Sequence, residues 1–262
     1  STSYDPYPYQ KLGASLLHEI FDHGERQNIL CASPTGSGKS YLIHYAAKLA
    51  EKHCAKIIIA VPLVALAEQL YADLKKVVTK PGIWTGPSQA NENSALVCVC
   101  TYEVALIQME NDPSWFGQDL LIVDEVHTIA SDRGKVVESL LVHPYFRLNC
   151  MALSGTIPNA AFLAEAMGKN TDRPTFVIGM KKRPIELEFQ VDLGYGPFRT
   201  LEWKKLREDR LDRLPTRATF APTKTKLTRA VYELKNNGLL PAMVVAFSCN
   251  ALNRMADALP DM

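Results

Sequence analysis

Residues 33–40, SPTGSGKS, have the composition and spacing of a loop that binds phosphate groups. Gly36 and Gly38 allow the backbone to turn so that successive N–H groups point at phosphate oxygens. Lys39 is placed to reach the β- and γ-phosphates of a nucleotide, and the Ser40 hydroxyl to ligate Mg²⁺. The alternative is an ordinary glycine- and serine-rich turn with a solvated lysine. The residues expected to bind the nucleotide are Thr35, Gly36, Ser37, Gly38, Lys39 and Ser40.

A second stretch, LIVDEVH at residues 121–127, sets two adjacent carboxylates directly after an apolar run. Asp124 is placed to hold the Mg²⁺ that accompanies a nucleotide, often through water. Glu125 is placed to orient and activate the water that attacks the γ-phosphate. Isolated Asp-Glu pairs are usually solvated loop charges. Here they follow a candidate buried strand, and ligands bind at the carboxyl ends of the strands in an open parallel sheet. We therefore expect Lys39, Asp124 and Glu125 to be catalytic.

These two stretches can share a site only if the strands before them lie in one sheet. The first two thirds of the chain alternates short β-rich apolar runs with amphipathic stretches, which predicts an α/β fold with a parallel sheet and helices on both faces. Candidate strands are 28–32, 56–61, 95–100, 120–123, 149–153 and 174–178. Candidate helices are 10–23, 39–53, 63–77, 102–109, 136–141 and 160–167.

The alternating pattern ends near Gly179. Residues 193–221 are charged, aromatic and turn-rich, which favours a connector over a core. A new buried strand is predicted at 242–247 with one helix after it, which is too little to close a second sheet. We expect a nucleotide-binding domain over 1–180, a connector over 181–240, and the truncated start of a second domain over 241–262.

Composition excludes several classes of protein. With 47% hydrophobic and 22% charged residues, the chain can fill a core and is not mainly disordered. The formal net charge is +1, so any nucleic-acid binding must be local. No apolar run approaches the roughly 20 residues that cross a bilayer. The six cysteines include no C-x-x-C pair and no leader precedes them, so we expect an intracellular protein, cytoplasmic or nuclear, that is not secreted and binds no membrane.

Together, the two stretches resemble motifs I and II of the superfamily 2 DExH-box helicases. Motif I of that family often begins with alanine or serine, which accommodates Ser33. Three more stretches are similar to the Ski-type branch, which comprises exosome-associated RNA helicases and their DNA-repair relatives. They are DRG at 132–134, LSGTIPN at 153–159 and RP at 183–184. Residues 239–248, LLPAMVVAFS, resemble the entry to a second RecA-like domain with motif IV, so the resemblance implies that 1–180 is a RecA-like domain.

The resemblance also implies roles for residues outside the two stretches. Gln10 is similar to the Q-motif glutamine that reads the adenine edge, the alternative being a polar residue in the first turn of a helix. Residues 62–69, PLVALAEQ, resemble motif Ia, which touches the nucleic-acid backbone, although Val64 stands where Arg or Lys is usual. Ordinary caps and turns are the alternative for each of the following residues. Those expected at nucleic acid are Pro62, Leu63, Thr85, Gly86, Thr101 and Glu103, and those expected to couple the two sites are His127, Ser154 and Thr156.

By this resemblance the chain is the N-terminal motor portion of an ATP-dependent helicase that unwinds RNA in the 3′-to-5′ direction with ATP and Mg²⁺. Its expected partners are single-stranded RNA, with DNA as an alternative, and an RNA-processing complex, and we expect a monomer. Motifs V and VI, which supply the family's arginine finger, have no match before Met262. We therefore expect this chain alone to bind ATP and to hydrolyse it poorly.

Two other functions compete with this interpretation. A DNA-repair helicase of the same branch would share every motif quoted, because these motifs contact the backbone and not the bases. A nucleotide-dependent RNA-binding scaffold without catalysis is the second alternative. The presence of Lys39, Asp124 and Glu125 counts against the scaffold, which has no physical need of all three.

Overall fold

A computed structural model of the chain describes residues 5–91, 94–111, 119–131, 134–142, 148–155, 157–185, 190–191, 199–200, 232, 234–236 and 238. The chain divides into two compact units, Ser1–Ile185 and Glu186–Met262. The first unit contains one sheet of eight strands. These are β1 (Asn28–Ala32), β2 (Ile57–Val61), β3 (Gly82–Trp84), β4 (Gln89–Ala90), β5 (Val97–Thr101), β6 (Leu120–Val123), β7 (Asn149–Ser154) and β8 (Thr175–Gly179).

The strand order across the sheet is β4-β3-β5-β2-β6-β7-β1-β8. Every neighbouring pair is parallel except β3 with β4, which is an antiparallel edge hairpin. All six predicted strands are present within two residues of their predicted ends. The sequence interpretation missed β3 and β4, because runs of three and two residues are too short to show a period.

Six α-helices and one 3-10 helix accompany these strands in the described part of the first unit. They are α1 (Pro8–His23), α2 (Ser40–His53), α3 (Val64–Leu74), α4 (Tyr102–Asn111), α5 (Gly134–Val142) and α6 (Ala160–Thr171), with the 3-10 helix at Val126–Ala130. Proline in the first turn of α1 and the left-handed Gly24 after it are the start and stop signals expected of a helix. All six predicted helices are present, although α3 ends at Leu74 and not at 77.

Alternating side chains divide the core between the two faces of the sheet. In β2, Ile57, Ile59 and Val61 join the cluster that contains the buried residues of α1, α2 and α3. Ile58 and Ala60 join the cluster that contains those of α4, α5 and α6. Because both faces are covered, the central strands are apolar throughout, as parallel strands must be. The predicted fold class, a parallel sheet with helices on both faces, is confirmed.

The parallel strands all end at one edge of the sheet, here called the carboxyl edge. The phosphate-loop stretch follows β1, the Asp-Glu pair follows β6 and the Ser-Gly pair at 154–155 closes β7. The residues expected at nucleic acid follow β2, β3 and β5. The topology therefore brings every described candidate residue except Gln10 to the same edge, and Gln10 lies in the first turn of α1.

In the second unit the described strands are β9 (Gln190–Val191) and β10 (Arg199–Thr200), which pair antiparallel. The connector and second domain expected beyond residue 180 lie almost wholly outside the described residues and remain predictions. The same holds for Thr156, for two residues of the DRG stretch and for 239–248. Where the structure describes the chain, none of its helices is long and apolar enough to cross a membrane.

Candidate nucleotide site

The phosphate-loop stretch leaves β1 and enters α2 through two glycines in left-handed conformations. Gly36 has φ +80° and Gly38 has φ +85°, values that residues with a Cβ rarely adopt. The Lys39 ammonium donates to the Ser33 carbonyl at 3.0 Å and to the Pro34 carbonyl at 3.4 Å. The charge of Lys39 is therefore held beside the first residues of the loop, next to the N-terminus of α2.

Helix α1 fixes this loop from one side. The Tyr9 hydroxyl donates to the Ser37 carbonyl at 2.9 Å, and Gln10 Nε2 donates to the Gly38 carbonyl at 2.8 Å. Gln10 Oε1 accepts the Tyr7 N–H at 2.8 Å, and the residue is fully buried. These bonds connect the start of α1 to the phosphate loop. A contact between Gln10 and an adenine edge remains a prediction.

The segment after β8 holds the loop from the other side. A Cβ at Gly179 would stand 1.9 Å from the Ala32 carbonyl oxygen, so the two backbones approach as closely as only glycine permits. The Met180 N–H donates to the buried Ser33 hydroxyl at 3.1 Å. The Arg183 guanidinium donates to the Thr35 carbonyl at 3.3 Å. The Ser33 hydroxyl thus makes one of these two connections between the loop and the segment, and a glycine at that position could not make it.

Asp124 lies in a place where its charge is poorly solvated. Burial, together with the adjacent Glu125 carboxylate, raises the pKa of Asp124 to about 6. The Glu125 N–H, which donates to Asp124 Oδ1 at 2.9 Å, and the nearby Lys39 and His127 side chains oppose that increase without cancelling it. A carboxylate in this state gains from a cation that would replace its lost hydration.

Glu125 has a backbone conformation that is unusual for its type. Its φ is +55°, in the left-handed region, which costs a non-glycine residue about 1–2 kcal/mol. Two hydroxyls bind the carbonyls on either side of that backbone. The Tyr102 hydroxyl donates to the Asp124 carbonyl, and the Thr128 hydroxyl donates to the Glu125 carbonyl at 2.9 Å. The two carboxylates are therefore held by contacts from α4 and from the 3-10 helix.

His127 lies between Glu125 and the end of β7. Its Nδ1 is 3.2 Å from Glu125 Oε2, and a Cβ on Gly155 would be 3.7 Å from the same nitrogen. Ser154 donates no side-chain hydrogen bond to any described residue, although its hydroxyl is buried, and its carbonyl accepts the Ser33 N–H at 3.1 Å. Two of the three residues expected to couple the sites are thus grouped around Glu125 and the base of the phosphate loop.

The residues expected to contact nucleic acid differ in how exposed they are to solvent. Leu63, before α3, is 52% exposed, and Gly86 is also exposed. Thr85 is fully buried, and its hydroxyl both donates to the Ser88 carbonyl and accepts the Ser88 N–H. The Thr85 side chain therefore shapes the β3–β4 turn, and contact of the exposed Gly86 with nucleic acid remains a prediction.

Sequence reasoning did not find the residues that support the carboxylates. Tyr102 lies inside a stretch singled out for nucleic-acid contact, and nothing in its spacing indicates that it reaches the end of a strand two places away in the sheet. Thr128 offered a signal, because a hydroxyl three residues after Glu125 is suited to bind that carbonyl within one turn. Arg183 was named from the sequence only as part of the RP stretch, and Met180 could have been found only from the pairing of β1 with β8.

Comparison with known proteins gives a consistent result. A family model described as DEAD/DEAH box helicase matches residues 8–163. Superkiller complex protein 2 of Mus musculus is 28% identical over 196 residues, which are 74% of this chain and 15% of that protein. The DExH-box ATP-dependent RNA helicase DExH9 of Arabidopsis thaliana is 28% identical over 174 residues, which are 66% of this chain and 17% of that protein. The chain therefore spans less than a fifth of these relatives.

A solved structure shares the fold. The crystal structure of the DUF1998 helicase MrfA superposes with a TM-score of 0.62 at 14% sequence identity, covering 98% of this chain and 38% of that one. At this identity the likeness concerns the fold alone. It agrees with the RecA-like architecture expected from the sequence.

Proposed function

The chain belongs to the DEAD/DEAH box helicase family, and we propose that it is the nucleotide-binding motor portion of an ATP-dependent RNA helicase that moves 3′-to-5′ along single-stranded RNA. The observation that carries the proposal is the meeting of Lys39 and Asp124 at the carboxyl edge, where the charge of Lys39 acts to lower the pKa of Asp124 against the larger effect of burial. The phosphate loop and the acidic pair are more than 80 residues apart in sequence, so their proximity is not explained by a local turn of the chain.

The residues present suit a magnesium nucleotide. Asp124 has a raised pKa, and the buried Glu125 Oε2 accepts no hydrogen bond from the described residues, with His127 Nδ1 at 3.2 Å. Across from them, Thr35, Gly36 and Ser40 are exposed, and nothing lies within 4 Å of a Cβ built on Gly36. The Ser40 hydroxyl and the Asp124 carboxylate would hold Mg²⁺. Bound there, the ion would neutralise charge on the phosphate oxygens.

The side chains then divide the work of hydrolysis among them. Backbone N–H groups of the loop and the N-terminus of α2 bind phosphate oxygens. Lys39 exchanges its bonds with the Ser33 and Pro34 carbonyls for bonds with the β- and γ-phosphates. Glu125 accepts a hydrogen bond from the attacking water and orients it toward the γ-phosphate. His127, 3.2 Å from Glu125, restricts where that carboxylate can point.

RNA is proposed as the strand because the chain is similar to a protein named as an ATP-dependent RNA helicase. The Ski-type stretches at 153–159 and 183–184 do not decide between RNA and DNA, because the DNA-repair relatives share them. A part in an RNA-processing complex is proposed from the likeness to a Superkiller complex protein. The experiment below must distinguish RNA from DNA as the strand that the chain binds.

Nucleotide binding to this chain tests the proposal most directly. Affinity for a fluorescent ATP analogue with Mg²⁺ is measured for the wild type, for Lys39→Ala and for Lys48→Ala. Lys48 is an exposed lysine of the same helix α2 and is the matched control. We expect Lys39→Ala to weaken binding by at least about tenfold, because a charge-assisted bond to phosphate is lost. Lys48→Ala should bind as the wild type does.

The second arm adds single-stranded RNA or DNA of the same length to the same samples. Stimulation of ATP hydrolysis by RNA well above that by DNA supports the RNA helicase. Equal or greater stimulation by DNA would replace it with the DNA helicase of the same branch. If the wild type binds no nucleotide, or Lys39→Ala binds it equally well, the motor function is wrong.

A further inference from the structure

Tyr102 makes a contact across the sheet that has no part in the proposed reaction as described above. It begins α4, directly after β5, and its ring is fully buried in the cluster on that face. Its hydroxyl nevertheless reaches the carbonyl of Asp124, at the end of β6. Strand β2 separates β5 from β6 in the sheet, so the side chain of Tyr102 spans one intervening strand.

The sheet order shows which two groups of residues this contact connects. Strands β3, β5 and β2 carry the residues proposed to contact nucleic acid, whereas β6 and β1 carry those proposed to contact the nucleotide. Tyr102 belongs to the first group by position, since it stands between Thr101 and Glu103. Its hydroxyl, however, binds Asp124, which belongs to the second group.

The receiving end of the contact is the strained backbone of the acidic pair. Glu125 has φ +55°, and the carbonyls on both sides of that residue accept hydroxyls. The Tyr102 and Thr128 hydroxyls are also 3.5 Å from each other. A small displacement of the first turn of α4 would therefore act on the peptide groups that orient both carboxylates.

We propose that Tyr102 is a positioning residue that transmits strand occupancy at the N-terminus of α4 to the orientation of Asp124 and Glu125. The inference rests on the proposed function, since it requires both a strand and a nucleotide. Binding of a phosphate at the first turn of α4 fixes that turn, and the Tyr102 hydroxyl then fixes the backbone that aims Glu125 at the attacking water. Burial raises the pKa of the Tyr102 phenol, so the hydroxyl stays protonated and remains a donor.

Removal of the hydroxyl alone tests this. Tyr102→Phe keeps the buried ring and removes the donor. Tyr45→Phe is the matched control, because Tyr45 also loses a side-chain bond, to His18 Nε2 at 2.7 Å, on the opposite face of the sheet. Thr128→Val, which removes the other hydroxyl without a change of shape, decides the question if Tyr102→Phe does not fold.

The measurement is single-turnover ATP hydrolysis with the chain in excess, with and without a short oligouridylate, together with the separate affinities for nucleotide and RNA. We expect the ratio of the RNA-stimulated rate to the basal rate to fall by at least about fivefold in Tyr102→Phe, while each affinity changes by less than about twofold. Tyr45→Phe should keep the wild-type ratio, although it loses stability to a similar degree. Thr128→Val should lower the ratio in the same direction.

The outcomes separate this inference from the proposed function. If the wild type binds no nucleotide, both fail. If it binds nucleotide but RNA does not accelerate its hydrolysis, the role of Tyr102 fails while the nucleotide-binding motor portion stands, because poor hydrolysis by this chain alone is expected. If the wild type is stimulated and Tyr102→Phe keeps its ratio, only the role of Tyr102 fails. A loss of stimulation that equals the loss in Tyr45→Phe would also overturn it, because a general loss of stability would then explain the effect.

Discussion

The raised pKa of Asp124 predicts that the chain becomes more stable when this proposed catalytic residue is neutralised. Asp124→Asn keeps the shape of the side chain and the Oδ1 atom that accepts the Glu125 N–H. It removes a charge that burial and the Glu125 carboxylate both disfavour. We therefore expect a higher free energy of unfolding for Asp124→Asn than for the wild type in the absence of nucleotide and metal ions.

The size of the effect follows from the pKa. A carboxyl group whose pKa rises from 3.8 in the unfolded chain to about 6 in the folded one loses about 3 kcal/mol on ionisation, at about 1.4 kcal/mol per unit. The folded chain binds this proton more tightly than the unfolded chain does. The cost is thus absent at a pH well below 3.8, increases as the pH rises toward 6 and is constant above that value. At about pH 5 roughly half of it remains.

Urea denaturation, followed by far-ultraviolet circular dichroism in a chelating buffer, measures the difference. We expect Asp124→Asn to gain about 1–3 kcal/mol near neutral pH and about half as much near pH 5. Asp73→Asn is the control with the opposite sign, because the exposed Asp73 carboxylate binds Lys76 and its pKa is lowered. The reasoning is refuted if Asp124→Asn is no more stable than the wild type at neutral pH, or if its advantage does not shrink in acid.

Two further substitutions follow from the contacts of the phosphate loop. Gly179→Ala should cost more than about 2 kcal/mol in thermal unfolding, because its Cβ would lie 1.9 Å from the Ala32 carbonyl oxygen, whereas Gly86→Ala, with nothing within 4 Å, should be close to neutral. Equal effects of the two would show that β1 and β8 do not approach as described. Gln10→Ala should lower the affinity for a nucleotide severalfold and the free energy of unfolding by about 1–3 kcal/mol, because a buried amide that binds the Gly38 carbonyl is lost. The affinity is measured with a fluorescent analogue. An unchanged affinity would mean that α1 does not shape the loop.

Much of the fold could be predicted because the central strands are apolar on both faces. Continuous apolar runs such as Ile57–Val61 and Leu120–Val123 predict buried parallel strands even though hydropathy does not alternate along them. The edge was harder, since β4 has two residues and an antiparallel partner. Its position depends on the Thr85–Ser88 turn, whose hydrogen bonds leave no mark in hydropathy.

The site was predictable in its parts and less so in its supports. Lys39 and Asp124 have types and spacings that chemistry dictates, so motifs identify them from the chain alone. The groups that support the site act over long separations: the Met180 N–H donates to the Ser33 hydroxyl, and the Tyr102 hydroxyl donates to the Asp124 carbonyl. Those pairs become visible only when the strand order is known, because no local rule links residues that distant strands bring together.

The same strand order explains why strain and an unfavourable charge can lie side by side in a stable chain. Both Asp124 and Glu125 follow β6, which lies between β2 and β7 in the middle of the sheet. Parallel pairing on both sides of β6 fixes the position of Val123, and the Asp124 N–H continues the ladder to the Ala60 carbonyl at 2.9 Å. The core clusters on both faces of the sheet therefore offset the cost of a left-handed glutamate and a poorly solvated aspartate. An acidic pair at an edge strand such as β8 would relax toward solvent, and neither the raised pKa nor the bond to Tyr102 would survive there.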